Sequence, residues 1–279
     1  MISRRAFIYG LCGNIVGVAS VGSYSRLLEP RWVEVKNVEI AVDSLPKKFE
    51  GMTIAQMSDI HHCKYVSREF IRQCVRKVNA LRPDVIALTG DYVFGAHSLV
   101  LSVSEELAEL QAKEGVFAVL GNHDDKDATF ESFSQKGIHV FINNHVPLNR
   151  GKEHLFLAGV DDLWEGKLNV ETALEGTDNA PKIVLCHNPD AIEIIKKTDA
   201  ALVIAGHTHG GQVSLPLYGP PIVYSKFGAR YASGLFREGR TAMYVNKGIG
   251  ISNFPIRFFA RPEITLITLR NTIQHPNAA

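Results

Sequence analysis

The chain has 279 residues, 46% of them hydrophobic, and its 30 Lys and Arg almost balance 29 Asp and Glu. That length suffices for one layered domain burying about three quarters of its unfolded surface. Near-neutrality excludes a broad basic face for nucleic acid, so an anionic substrate has to be held locally, by metals or a few basic groups.

The N-terminus reads Met1-Ile-Ser-Arg4-Arg5-Ala-Phe7-Ile8-Tyr9, followed by a weakly apolar, glycine-rich run to about Gly22. A double arginine ahead of a modest apolar region is the twin-arginine export cue, so residues 1–25 read as a signal or an N-terminal anchor. Val18-Ala19-Ser20 is only a loose cleavage match, which leaves cleavage and anchoring both open. Export places the protein in the periplasm, free or held at the inner membrane facing it; without a working leader it stays cytoplasmic. Nothing beyond the leader resembles a membrane span. The four cysteines, Cys12, Cys63, Cys74 and Cys186, lack paired zinc or disulfide spacing and read as free thiols.

Residues 31–42 alternate apolar and polar, as a half-exposed strand does. After a turn at 46–51, the run Met52-Thr-Ile-Ala-Gln-Met-Ser58 predicts a strand ending in Asp59-Ile-His61. Apolar residues at helical spacing predict a helix over 68–81, stopped by Arg82-Pro83-Asp84. Val85-Ile-Ala-Leu-Thr-Gly-Asp91 reads as a strand covered on both faces, ending in a glycine turn. A second helix over 99–112, ended by Gly115, leads to the strand Val116–Leu120 and Gly121-Asn122-His123-Asp124. This β-α-β-α-β order is that of a layered α/β fold. A short helix at 127–137 and strands near 138–142 and 154–160 come next. Residues 182–204 give a strand, a helix opened by Asn188-Pro189-Asp190, and another strand. Beyond Gly211, strands at 212–216, 231–236, 241–245 and 263–269 predict a largely antiparallel second sheet, and the loop at 217–230 is long enough to be functional.

Five strand ends carry metal-ligand residues: Asp59 and His61, Asp91, Asn122, His187, and His207 with His209. Singly, Asp59, Asp91 and Asn122 are ordinary turn residues, and His187 is a satisfied core histidine. Together they collect where open α/β sheets bind ligands. Residues i and i+2 share one side of an extended chain, so Asp59 and His61 suit one cation. Asp91 has two oxygens and suits a bridge. Mixed nitrogen and oxygen ligation fits Mn²⁺, Fe or Zn²⁺. His62 should point away, and Cys63 reads as a bystander thiol. His97, His139, His145 and His154 carry no motif. Lys226, Arg230 and Lys247 read as solvated charges, with substrate phosphate as the functional alternative.

The set Asp59-x-His61, Gly90-Asp91, Gly121-Asn122-His123-Asp124, His187 and Gly206-His207-x-His209 resembles the five motifs of calcineurin-like metallophosphoesterases, in family order across residues 59–209. Asp161-Asp162-Leu163-Trp164, His187-Asn188-Pro189-Asp190 and His207-Thr208-His209-Gly210-Gly211-Gln212 are similar to a bacterial subgroup of exported phosphodiesterases with twin-arginine leaders. The resemblance implies a four-layer α/β/β/α sandwich over about residues 30–271 and two divalent metal ions. It implies one cation on Asp59, His61, Asp91 and His209, and a second on Asp91, Asn122, His187 and His207. His123 is implied to stay off the metals and to act as general acid for the leaving group or as a stabiliser of the phosphoryl oxygen, while a metal-activated hydroxide attacks phosphorus in line. Asn246-Lys247-Gly248-Ile-Gly250 resembles a family turn beside the site. Phosphoprotein phosphatases of the family carry an Asp three residues after the bridging one; Phe94 stands there, which argues against that class and leaves Asp124 as the nearest partner in sequence for His123. His62-Cys63 replaces the usual continuation of the first motif.

The expected activity is hydrolysis of a small phosphodiester or a lipid-linked phosphate, with a UDP-2,3-diacylglucosamine-type pyrophosphate as the enzymatic alternative and no nucleic-acid partner. A binding module on a decayed scaffold is the non-enzymatic alternative, and the intact ligand set speaks against it. Membrane association, where present, is expected through the N-terminus. Replacing Arg4 and Arg5 with lysine is expected to leave the protein in the cytoplasmic fraction, and unchanged export on fractionation would refute the leader.

Overall fold

The computed structural model describes residues 17–272, so Arg4-Arg5, Cys12 and most of the leader lie outside the described residues. Residues 17–23 are helical and run into the π-helical turn Tyr24–Leu28. This segment is tied to the domain: the Ser25 carbonyl accepts from Arg257 N at 2.8 Å, and buried Glu29 accepts from Ala260 N at 2.7 Å. Among the described residues no helix is long and apolar enough to cross a membrane.

The strands in chain order are β1 (Glu34–Val42), β2 (Thr53–Met57), β3 (Val85–Thr89), β4 (Gly115–Val119), β5 (His139–Val140), β6 (Asn144–Arg150), β7 (Glu153–Gly159), β8 (Lys182–Leu185), β9 (Ala200–Ala205), β10 (Gly234–Glu238), β11 (Thr241–Val245) and β12 (Glu263–Asn271). They form two six-stranded sheets, ordered β1-β12-β2-β3-β4-β5 and β10-β11-β9-β8-β7-β6. Helices α1 (Arg68–Ala80), α2 (Val100–Leu107) and α3 (Lys126–Gln135) cover the first sheet; α4 (Val170–Leu174) and α5 (Ile192–Ile195) cover the second.

Period-2 alternation decides which layer each strand residue faces. Ala55, Met57, Ile86 and Leu88 point to α1–α3, while Ile54, Val85 and Ala87 point between the sheets. On the second sheet, Ile183, Leu185, Leu202 and Ile204 face inward, and Val184, Val203 and Ala205 face α4 and α5. Three apolar cores therefore separate four layers, an α/β/β/α sandwich. Gln56 crosses the middle core: its buried Nε2 donates to Thr89 Oγ1 (3.0 Å) in its own sheet and to Ala205 O (2.8 Å) in the other.

Several expectations are corrected. The second sheet is not largely antiparallel: β7, β8, β9 and β11 run parallel, and only its edges β6 and β10 pair antiparallel. Residues 212–216 make no strand, only isolated bridges at Val213 and Leu215. The strand expected from Tyr231 begins at Gly234, because Tyr231 closes the 3-10 turn Gly228–Tyr231. β6 was not expected; Pro147 at a sheet edge masks its pattern. β12 returns to the first sheet, parallel to β1 and antiparallel to β2.

Asp84 fastens the strand starts together. Its Oδ2 accepts from Thr53 N (2.8 Å) and Thr53 Oγ1 (3.1 Å), and Oδ1 accepts from Lys113 Nζ (2.8 Å). Burial raises the carboxyl, but the Lys113 and Thr53 bonds outweigh it and hold the group below the ordinary carboxylate range. A depressed folded value stabilises fully above the unfolded value of about 3.9 and is lost as pH falls through the folded one. Asp84→Ala, which strands the Thr53 N–H, is expected to cost about 1–3 kcal/mol in urea unfolding near pH 7. The difference from wild type should shrink in strong acid, and an unchanged difference there would refute the ionic role.

Candidate metal centre

Asp59 and His61 follow β2, Asp91 follows β3, Asn122 and His123 follow β4, His187 follows β8, and His207 and His209 follow β9. The parallel strands bring these ends to one edge, so both sheets deliver ligands to one place. The backbone there is strained: Asp59, His61, Asp91, His207 and His209 all have φ between 48° and 73°. A positive φ in a residue other than glycine costs of order 1–3 kcal/mol and persists where surroundings enforce it. Close approach adds a second constraint. A Cβ on Gly121 would overlap the Asp91 carboxylate, and one on Gly206 would overlap Ser58 Oγ.

Two ligand groups result. Asp59, His61 and His209 converge, as do Asp91, His187 and His207, each group presenting one ligand atom per residue within 4.8 Å of one another, all buried. Asp91 joins the groups: its Oδ2 is 3.4 Å from His61 Nε2 and 3.3 Å from His187 Nε2. Asn122 Oδ1 is 3.2 Å from His187 Nε2 and completes the second group. The donors fit two divalent cations. His61 Nε2 faces His209 Nε2 at 3.0 Å, and His207 Nδ1 faces His187 Nε2 at 3.0 Å, so imidazole nitrogens are aimed at one another in a dry site. A cation between each pair would take both facing lone pairs. With nitrogen, carboxylate and amide donors and no thiolate, the set suits Mn²⁺, Fe or Zn²⁺.

Burial pushes the Asp59 carboxyl up to about 6, against the His187 charge. Burial acts the same way on Asp91, but His187, His61 and His123 overcome it and hold Asp91 below the ordinary range. Burial also pushes His61 down to about 4, His207 to about 3 and His209 well below its usual value. Metal ligation needs neutral imidazole, which burial favours at His61, His207 and His209; at His187 burial acts the same way, but the Asp91 carboxylate outweighs it and holds the ring's value up, so a cation bound there would displace a proton.

His123 stands at the mouth. Its backbone N–H donates to Asp91 Oδ1 at 2.9 Å, while its ring lies edge-on to Phe94, centroids 5.1 Å apart, and 5.4 Å from the His61 ring. Asp124 is not its orienting partner. The Asp124 carboxylate turns back and accepts from Asp91 N, Tyr92 N and Gly121 N, each at 2.8 Å. It fixes the turn that carries the shared ligand. The reason is geometric: the turn after β4 closes on the turn after β3, so adjacent side chains diverge.

Other supports surround the ligands, inside the motifs and beyond them. Ser58 Oγ donates to Asp59 Oδ2 at 2.6 Å, and His207 N donates to both Asp59 oxygens, at 3.1 and 2.9 Å. The 246–250 turn backs Asp59 through Gly250 N to Asp59 O (2.7 Å). Arg257, fully buried, donates to the carbonyls of Lys247, Gly248, Gly250 and Ala260 and reaches His209 Nδ1 at 3.3 Å. No sequence signal marked it, since an isolated Arg reads as a surface charge. Trp164 overhangs His207 with ring centroids 4.4 Å apart, presented by Asp162, whose Oδ1 caps Trp164 N and Glu165 N, each at 2.8 Å. Asp190 holds the 225–226 loop through Ser225 Oγ (2.6 Å) and Lys226 N (2.7 Å).

The remaining candidates fall elsewhere. His62 Nδ1 turns to Val66 O at 2.7 Å. His145 faces Ala173 O, His154 pairs with Asp178, and His139 packs on Phe117 and Phe141; His97 lies in a 3-10 turn. Arg230 pairs with Glu238 at 2.6 Å, and Lys247 Nζ is 3.6 Å from Glu263. Cys63, Cys74 and Cys186 are free, and burial pushes Cys74 up to about 12.

The hollow at this sheet edge, about 240 Å³, is lined by His61, Asp91, Asn122, His123, Trp164, His207, His209, Tyr224, Ser252 and Asn253. Paired buried ligand groups at the strand ends of a four-layer sandwich define a metal-dependent phosphoesterase. A family model for calcineurin-like phosphoesterases matches residues 52–211, and the chain belongs to that family. It is 35% identical to the uncharacterized metallophosphoesterase YkuE of Bacillus subtilis, over 97% of this chain and 99% of that one. It is 33% identical to the phosphodiesterase YaeI of Escherichia coli, over 96% and 100%. It is 28% identical to the UDP-2,3-diacylglucosamine pyrophosphatase LpxG of Chlamydia muridarum, over 88% and 91%.

Groups that orient a metal ligand cost roughly 10–100-fold in metal affinity when removed. Asp124→Ala is expected to lower affinity by that order in metal titration of the stripped protein, followed by elemental analysis. Unchanged affinity would show that the β3 turn holds Asp91 unaided.

Proposed function

We propose that the protein is a phosphodiesterase with a dinuclear metal centre. One observation carries the choice of diester: the hollow over the ligands contains no Lys or Arg among the described residues. A phosphate monoester brings a dianion whose outer oxygens need cationic partners beyond the metals. A diester brings one charge and a second ester group, which Trp164, Tyr224 and Asn253 suit as neutral, partly apolar surfaces. The similarity to YaeI supports the same reading.

Bound cations at these positions supply Lewis acidity at phosphorus and ready ionisation of water. The residues divide the remaining work. Asp59, His61 and His209 would hold one cation and Asn122, His187 and His207 the other, with the Asp91 carboxylate shared between the two groups. Its negative charge would offset the repulsion between two cations held so close. His123, adjacent to Asn122 but off the ligand groups, donates a proton to the departing ester oxygen. Phe94 packs edge-on against its ring, centroids 5.1 Å apart, in place of an acidic partner.

The test is purified protein reloaded with Mn²⁺ and assayed on matched diester, monoester and nucleotide-sugar pyrophosphate substrates. Preference for the diester is expected, and a monoester preference would overturn the reading. General acid catalysis contributes about 10²–10⁴-fold, most for strongly basic leaving groups. His123→Ala is therefore expected to keep both metals and to lose far more activity on an alkyl diester than on a nitrophenyl one. Metal loss in this variant, or equal loss on both substrates, would remove His123 from proton transfer.

A further inference from the structure

The metal hollow continues sideways. Over His209, Tyr224, Ser252 and Asn253, which line both, a second hollow of about 130 Å³ opens between the 220–224 and 252–256 segments. Its other walls are mainly Val213, Pro221, Ile222, Phe254 and Ile256. The backbone polar groups along one wall are already engaged. The Gln212 amide donates to Ser252 O (3.0 Å) and Phe254 O (2.7 Å), and its oxygen accepts from Ser252 N (2.8 Å). A ligand group entering here meets carbon.

The apolar surface extends outward from this hollow. Ile222 is 68% exposed, Phe254 72%, and Leu217 at the loop tip is fully exposed. Large apolar groups exposed on the same loop and on the segment facing it across the hollow mark an interaction surface. On its other flank the 254–259 segment carries the N-terminal helix, where Tyr24 packs edge-on against Phe258 and Leu27 and Leu28 are more than half exposed. Cations lie along the same flank: Arg26, Arg31 and Lys64 line a groove with Pro255. Exposed carbon bordered by basic groups is the pattern of a surface that rests on an anionic bilayer.

We propose that the substrate is a membrane-lipid phosphoester, with phosphorus at the metal centre, the first carbons of an alkyl or acyl chain in the second hollow, and the Leu217 tip in the bilayer. This rests on the phosphodiesterase reading for the bond cleaved and adds the class of molecule that carries it. His209 lines both hollows, so a chain seated in the second lies against the back of one ligand ring while Pro221, Ile222, Phe254 and Ile256 supply the apolar contact that selects it.

The full chain, loaded with Mn²⁺, is assayed on n-alkyl 4-nitrophenyl phosphates from methyl to octyl, presented as monomers and embedded in phosphatidylglycerol vesicles. Each methylene seated in the hollow is expected to lower KM about fourfold until the hollow fills. The vesicle-embedded octyl ester is expected to turn over faster than the monomer. Phe254→Asp, or the milder Ile222→Ser, flattens the chain-length dependence, and Leu217→Asp removes the vesicle advantage; metal content is measured for each variant. Hydrolysis of the series with a flat wild-type profile overturns the inference and leaves the diester reading standing. A chain-length dependence without a vesicle advantage overturns the membrane source in favour of a soluble amphiphile. No hydrolysis of any member overturns the diester reading, and the inference with it.

Discussion

Asp91 is the point on which the structure turns. One buried carboxylate lies between His61 and His187, 3.4 and 3.3 Å from their nitrogens, and its other oxygen takes the His123 N–H. Its backbone sits at φ 57°, held by the Asp124 carboxylate. A buried carboxylate without partners is costly, so everything around this one is arranged to meet it. Gly121 has no side chain because one would occupy the place of that carboxylate. The two imidazoles that meet Asp91 come from different sheets, so the shared ligand also fixes how the sheets approach one another.

The layered core makes that approach rigid. Residues of β2, β3, β8 and β9 alternate between the middle core and an outer one, so a strand cannot slip by one residue without reversing both faces. Gln56 reaches from one sheet to the other through the middle core. Ligand positions set by strand register and packed sheets hold better than positions set by loops. This is how five residues with unfavourable backbone conformations are tolerated at one edge: the stability of the cores outweighs their strain.

Beyond the metal ligands the character changes. Trp164, Tyr224, Ser252 and Asn253 line the mouth from loops, and the 217–227 and 252–259 segments expose Leu217, Tyr218, Ile222, Phe254 and Phe259. The candidate ligands thus sit on strand ends, while the surface around the mouth is built from loops, where sequence changes leave the cores intact. Asp190 couples the two levels, since it follows the ligand His187 and holds the 225–226 loop by its side chain.

The sequence by itself determined the layered α/β class and marked the candidate ligand residues. Each ligand follows an apolar run with its own local pattern, and α1 could be read from its spacing, its Ser67 cap accepting from Phe70 N at 3.3 Å. Other features were decided only in three dimensions. Periodicity tells which face of a strand is buried and not which strand lies beside it, so the parallel interior of the second sheet and the return of β12 between β1 and β2 were not legible. The same limit hid Asp124, whose partners lie 32 and 33 residues away as well as three. Arg257 was invisible as a support, and Trp164 was legible only as part of a resemblance, with nothing to place it over His207. The physical reason is the same, since a side chain's role depends on what the packed layers bring against it, and neighbours in sequence carry no record of that.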